Sequence, residues 1–383
     1  MPKQSFNFAL FLFAFYAHAG TFATYASLFF AARGMSAPQI GILMSLIQVM
    51  RIFGPNLWGW VADHTQRRVR VLRITGLAGL AAFSGIFYGH TFAQLFAAMV
   101  IVNLFTSAQA PLSEALMLDE MRGDLSNYGR IRLWGSVGFI VAVTLAGYGL
   151  EWFGVGALPW IAVSLLVGVV GAALRIREAP RVPHAQPARP LRSVLRQPAV
   201  IAFFAQAALM VGAHSSLYAF YSLYLEQNGY SKPVIGAMWS LGVLAEVVFF
   251  YFQAAVFRRI AVQSLLMLVF GVAVFRFVVI GVAAQWLAVL VLAQLLHAAS
   301  FAAHHSASIM TMQRWFAGPL QARGQALFIS IAYGVGGSLG SLFMSLCWEE
   351  MGPRAVYFAA AALSLAAAGA AALSQRWQER EPA

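Results

Sequence analysis

Charge is scarce in this chain. Of 383 residues only 10% are Asp, Glu, Lys or Arg, while 61% are hydrophobic and the mean hydropathy is +0.73. A soluble fold of this length cannot bury so much apolar surface. Acidic residues are scarcer still, 13 against 25 Lys and Arg, for a formal net charge of +12. Cysteine occurs once, at Cys347, which excludes an internal disulfide. There is no Gly-rich phosphate loop of the Walker type, which argues against ATP as an energy source. Histidine gathers in one place only, His297 with His304 and His305. A membrane metalloenzyme needs several His-rich boxes with carboxylates near one membrane face, so neither a metal nor another cofactor is expected.

What the chain has instead is long apolar runs. A bilayer crossing takes ~20 apolar residues, and twelve runs qualify: 6–32, 39–61, 72–89, 92–117, 131–150, 158–176, 199–224, 233–256, 262–283, 286–311, 325–347 and 354–374. The fold class is therefore all-α integral membrane protein. The first run exceeds the apolar core of a signal peptide and lacks a clear small-residue cleavage site, so it reads as a retained helix. With the N-terminus inside, 19 of the 25 Lys and Arg fall on cytoplasmic segments. The positive charge thus orients the chain in a membrane, both termini cytoplasmic, and does not call for nucleic acid. The lipid bilayer is the surrounding partner, and the chain is expected to act as a monomer.

One stretch occurs twice. Gly34-Met35-Ser36-Ala37-Pro38-Gln39-Ile40-Gly41 returns 195 positions later as Gly229-Tyr230-Ser231-Lys232-Pro233-Val234-Ile235-Gly236, and Ser45-Leu46 returns as Ser240-Leu241. Each copy separates two apolar runs, where Gly and Pro end one helix and start the next. The same register sets Arg51 opposite Glu246. A repeat of half the chain length marks a transporter built from two related halves. The Pro- and Arg-rich stretch from Arg175 to Pro198 divides the runs six and six. This gives a six-helix bundle over 1–176, a cytoplasmic linker over 177–198, and a second bundle over 199–383.

That arrangement, with Gly59-Trp60-Val61-Ala62-Asp63-His64-Thr65-Gln66-Arg67-Arg68 after the second run, resembles the major facilitator superfamily and its cytoplasmic signature. The resemblance gives Asp63, Arg67 and Arg68 a latching role between helix ends. Gln66 stands where the family usually has Gly, so a different turn is expected there. Glu114 lies within the fourth run, where an unpaired carboxylate costs several kcal/mol. Arg132 is the expected partner. In spacing and surroundings the two resemble the substrate-holding Glu and Arg of the lactose permease family, with Phe139 at that family's sugar-stacking aromatic. The pair either holds substrate or only ties two helices together. Arg276 and His297 match the same family's proton-coupling cluster, but its neighbouring acid is Ser300 here and its Lys is Gln294. Glu246 then remains as proton carrier, either titrating or making a bridge to Arg51 that opens and closes as a gate. On an ideal helical wheel His304 falls close to His297, with His305 farther round. His18 and His214 also fit a packing role. Near the expected cavity, Phe139, Tyr218, Tyr221 and Trp239 form a candidate ring-stacking surface.

A narrower resemblance, to the bacterial phenylpropionate permease family, is carried by Trp239 to Val247, Phe257-Arg258-Arg259, Tyr128 to Val137, Gly212-Ala213-His214, and Leu296-His297 with His305. It implies a proton-coupled symporter working by alternating access, with its site near the bilayer midplane between the halves. The implied substrate is a small aromatic carboxylate such as 3-phenylpropionate. Arg276 would grip the carboxylate and Glu246 the proton, with His297 linking them, His305 in the same proton-coupling set, and His214, Tyr218 and Trp239 as further substrate contacts. The implied location is a bacterial inner membrane. A sugar or nucleoside:H+ symporter, or a proton-driven efflux transporter, is the alternative.

Overall fold

The structure is a computed structural model that describes residues 3–121, 127–178, 191–317 and 320–380. Arg122 and most of the linker, including its prolines and arginines between 179 and 190, lie outside the described residues. Among the described residues twelve helices are long and apolar enough to cross a membrane. They are α1 (Gln4–Ala32), α2 (Ala37–Thr65), α3 (Arg68–Tyr88), α4 (Phe92–Met121), α5 (Tyr128–Phe153) and α6 (Val155–Ala173), followed by α7 (Pro198–Gln227), α8 (Lys232–Arg259), α9 (Val262–Ala283), α10 (Leu287–Met312), α11 (Arg323–Met351) and α12 (Pro353–Gln378).

The chain divides into two compact units, Met1–Pro183 with Leu225–Ser240, and His184–Tyr224 with Leu241–Ala383. The exchange of one segment departs from the expected 1–176 and 199–383, and it has a local cause. The Tyr25 hydroxyl donates to the Lys232 carbonyl at 3.2 Å, and Glu151 accepts the Lys232 backbone N–H at 2.9 Å. One helical stretch further, the Thr144 and Ser240 hydroxyls meet at 2.9 Å. The start of α8 is thereby bound to α1 and α5.

The sequence repeat is also a repeat of backbone geometry. Gly34 and Gly229 lie in the left-handed region, at φ +78° and +84°, where a side chain is disfavoured. Around Gly34 the Met35 N–H returns to the Phe30 carbonyl at 3.1 Å and the Gly34 N–H to Ala31 at 2.9 Å; around Gly229 the same bonds run from Tyr230 to Leu225 and from Gly229 to Glu226, at the same two lengths. This double closure satisfies the last carbonyls of α1 and of α7.

A second repeated feature sets the helix crossings. A Cβ on Gly138 of α5 would lie 2.2 Å from the Phe13 carbonyl oxygen of α1, and one on Gly336 of α11 would lie 2.4 Å from the Ala208 carbonyl oxygen of α7. Phe13 and Ala208 are again 195 positions apart. Such backbone-to-backbone contact is how helices pack where lipid provides no hydrophobic drive between them.

The signature loop does not differ as expected. Gln66 adopts the left-handed conformation, φ +56°, that glycine would take without strain, so the turn is kept at a conformational cost. Arg68 pairs with Asp63 at 3.6 Å and with buried Asp119 of α4. Arg67 is exposed. Glu178 accepts the backbone N–H groups of Arg68 and Val69, at 2.9 and 3.0 Å, capping the start of α3. Replacing Gln66→Gly should raise the stability of the purified protein by roughly 1 kcal/mol, read as a higher midpoint of thermal unfolding in detergent. A lower midpoint would show that the Gln66 side chain is needed there.

Candidate functional site

Buried polar chemistry concentrates in the second unit. Gly242 of α8 carries no side chain to hold α10 away; a Cβ there would stand 3.3 Å from the His297 ring. One turn on, Glu246 reaches His297, Oε1 to Nε2 at 2.9 Å, with side-chain exposures of only 17% and 8%. Phe301 stacks on His297, ring centroids 5.2 Å apart and planes within 9°. His214 of α7 is 5.8 Å from His297 and 5.6 Å from Phe301, centroid to centroid. Tyr218, half-buried one turn along α7 from His214, meets Phe301 edge-on at 6.4 Å.

Arg276 of α9 is fully buried. Its three nitrogens are served by α10: Nε donates to the Ala293 carbonyl at 2.6 Å, Nη2 to Gln294 Oε1 at 2.8 Å and Nη1 to Ser300 Oγ at 3.1 Å. Gln294 and Ser300 are the two positions at which the sequence departs from the lactose permease pattern. The neutral amide and hydroxyl found there are the acceptors that allow a buried guanidinium to persist. In this structure Arg276 tethers α9 to α10, and the carboxylate-gripping role expected of it competes with three existing bonds.

The helical wheel misplaces His304. From Ala298 to Ala303 helix α10 widens into a π-helical stretch, which changes the angle per residue and rotates the residues beyond it. His304 Nε2 therefore meets Gln206 Oε1 of α7 at 3.0 Å, and His305 Nδ1 meets the Tyr333 hydroxyl of α11 at 3.2 Å. Tyr333 itself lies in a second π-helical stretch, Ile329–Gly336. The three histidines of α10 face three different neighbours. His18 donates Nδ1–H to the Ala162 carbonyl at 2.8 Å, in keeping with a packing role.

In the first unit the expected Glu114–Arg132 ion pair is not made. Glu114, which is exposed, accepts the Tyr128 hydroxyl, whereas Arg132 donates to the Tyr16 hydroxyl at 2.8 Å and lies over that ring at 4.5 Å. Gly135 makes room, since a Cβ there would be 2.7 Å from the Tyr16 ring. Tyrosine satisfies both charges because one side chain supplies an apolar body and a hydroxyl. Phe139 packs on Gly20 of α1, where a Cβ would stand 2.3 Å from its ring. Trp239 belongs to the first unit with Phe139, and Tyr218 and Tyr221 to the second, so the four aromatics do not form one surface within either unit. Arg51 is exposed on α2 of the first unit. Phe301 and Tyr16 are not among the sequence-predicted site residues, and Tyr128 enters there only as the start of a resembling string, although Phe301 and Tyr128 each stand one turn from a predicted site residue, His297 and Arg132.

Twelve bilayer-length helices with charged groups buried among them have the architecture of a membrane transporter. The profile of the MFS_1 like family matches residues 5–359, and the chain belongs to that family of the major facilitator superfamily, which makes it a transporter and not an enzyme. Among its relatives, the probable 3-phenylpropionic acid transporter of Escherichia coli (strain K12) is 29% identical over 369 residues, covering 94% of this chain and 95% of the other. The maltose permease of Geobacillus stearothermophilus is 35% identical over 164 residues, 42% of this chain and 40% of that one. The crystal structure of the nucleoside transporter NupG superposes with a TM-score of 0.82 at 18% identity, over 98% of this chain and all of that one.

Replacing Gln294→Leu removes the acceptor of Arg276 Nη2 at nearly constant volume, leaving a buried charged donor unmatched. The expected cost is about 2–3 kcal/mol, read as a lower unfolding midpoint. An unchanged midpoint would mean that Gln294 does not hold the guanidinium.

Proposed function

We propose that this chain is a proton-coupled symporter importing a small aromatic carboxylate such as 3-phenylpropionate by alternating access. On this reading it works as a monomer in the bacterial inner membrane with both termini in the cytoplasm. The observation that carries the proton coupling is the Glu246–His297 pair, a carboxylate and an imidazole 2.9 Å apart inside an apolar bundle. Such a pair holds one shared proton as a neutral unit, and releasing it leaves a carboxylate that water entering from one side, or a nearby cation, must stabilise. The substrate class rests on the relative named for 3-phenylpropionic acid, which matches nearly the whole chain.

For the carboxylate the better-placed arginine is Arg132. It is half-buried, and among the described residues only one of its N–H groups is taken, by the Tyr16 hydroxyl. The remaining fork is free to bind a carboxylate bidentately, beside the aromatic ring over which it lies. Arg276, by contrast, holds α10 in place. A sugar substrate is the second reading, favoured by the stretch 35% identical to a maltose permease.

Counterflow in proteoliposomes tests the substrate. Vesicles preloaded with unlabelled 3-phenylpropionate and given labelled compound outside should show exchange above the protein-free rate. Arg132→Ala should lower that exchange at least tenfold, the equivalent of about 1.4 kcal/mol. Exchange of maltose and not of 3-phenylpropionate would favour the second reading. Glu246→Gln tests the coupling: it should keep counterflow but lose accumulation driven by an inward proton gradient. Accumulation retained in Glu246→Gln would remove Glu246 as proton carrier.

A further inference from the structure

His214 has a role that neither packing nor ring contact explains. Its Nδ1 lies 2.9 Å from the Met210 carbonyl oxygen on its own helix. A carbonyl only accepts, so Nδ1 carries the hydrogen, and in the neutral ring Nε2 is a bare lone pair. That Nε2 is buried and has no hydrogen-bond partner among the described residues. His297 shows the complementary defect. Its Nε2 is taken by Glu246, and its Nδ1 is likewise buried without a partner.

The two rings are neighbours, 5.8 Å between centroids, and both pack against Phe301, with Phe277 5.4 Å from His214 on the other side. Two adjacent imidazoles thus each present an unsatisfied nitrogen in an aromatic surround, at exposures of 1% and 6%. A buried acceptor without a donor is costly. One proton, added to His214 Nε2 or to His297 Nδ1, turns a bare acceptor into a donor, which the lone pair of the second ring, 5.8 Å away centroid to centroid, can accept once the rings approach. The proton itself needs no extra volume in a closely packed site.

We propose that His214 is a second proton station: the transported proton resides on the His214–His297 pair, with the Glu246 carboxylate as its counter-charge. No heavy-atom bond changes; a proton from one aqueous side is bound at a ring nitrogen and later released to the other. Besides Glu246 of α8, Arg276 of α9 acts electrostatically on both rings and His304 of α10 on His214; Glu246 acts likewise on His305 of α10, and Tyr218 of α7 and Tyr333 of α11 pack on the same Phe301 ring. Arg276 repels the extra positive charge and Glu246 attracts it, so the pair can both load and unload. The inference rests on the proton-coupled reading above.

The test separates the two. Uptake of labelled 3-phenylpropionate is compared in wild type, His214→Gln and His214→Asn, with and without an inward proton gradient, alongside counterflow at equal pH. Asn can keep the bond to the Met210 carbonyl, and neither side chain titrates. The expected result is counterflow within about twofold of wild type and at least a tenfold loss of gradient-driven accumulation in both variants. Accumulation at the wild-type level overturns the inference while leaving proton coupling intact. Loss of counterflow together with accumulation in well-folded variants assigns His214 to substrate or structure and also overturns it. Wild-type uptake that ignores the gradient overturns both readings. Should neither variant fold, nitrogen-15 resonances of the wild-type histidines decide: His214 must protonate at Nε2 in step with His297 as pH falls, and a His214 ring that stays neutral sinks the proposal.

Discussion

An apolar slab offers no water to a charge, so each ionisable group placed within it must find its partner in the chain itself. Arg276 shows how far this constraint reaches. Its guanidinium draws on three acceptors of one neighbouring helix, two of them side chains and one the Ala293 carbonyl. Regular α-helix in α10 stops at Leu295, and the π-helical Ala298–Ala303 comes after it. The arginine therefore supplies a donor close to the place where the regular backbone ladder ends. A side chain that bonds into the ladder is one of the few identified causes of a helix irregularity. The buried charge and the local widening of α10 belong to one arrangement, in which each makes the other tolerable.

The widening has consequences along the helix. In a continuous α-helix His297 and His304 would share a face. With the π-helical stretch between them, α10 instead sends His297 to Glu246 of α8, His304 to Gln206 of α7 and His305 to Tyr333 of α11. One helix contacts three neighbours through the same residue type, and Phe301, in the middle of the stretch, touches rings on α7, α10 and α11. A packed polar seam of this kind has few ways to change by small amounts. Movement of α10 would exchange one set of partners for another, the condition for a two-state element.

The scaffold was legible in the amino acids because it is written in features with one physical meaning. Apolar runs of bilayer length mean crossings, and the glycine of each repeated turn means a left-handed residue, as found at Gly34 and Gly229. Buried polar groups are less legible, because the sequence states the cost of a charge and not which neighbour meets it. Glu114 and Arg132 were natural partners by sign and spacing, yet each found a tyrosine, a residue counted among the apolar ones. Gln294 and Ser300 stood out as missing charges, and their neutrality proved to be what Arg276 requires. His304 was misplaced by a wheel that assumes a fixed angle per residue.

The two units differ in what they preserve. Where α1 crosses α5, and where α7 crosses α11, a methyl group would collide with a carbonyl oxygen of the facing backbone, which cannot move aside as a side chain can. The carbonyls in question, on Phe13 and Ala208, keep the 195-residue register, and the glycines, at 138 and 336, stand 198 apart. The polar residues keep no such correspondence. The first unit latches α2 to α4 through Asp63, Arg68 and Asp119, while the matching loop of the second keeps only Arg258-Arg259. The register that places Arg51 on α2 places Glu246 on α8. A polar group needs only one local partner, which a single substitution on an adjacent helix can supply, whereas a lost glycine at a crossing displaces two helices at once. Chemistry can therefore diverge between the halves, and between relatives, on a backbone that is held fixed.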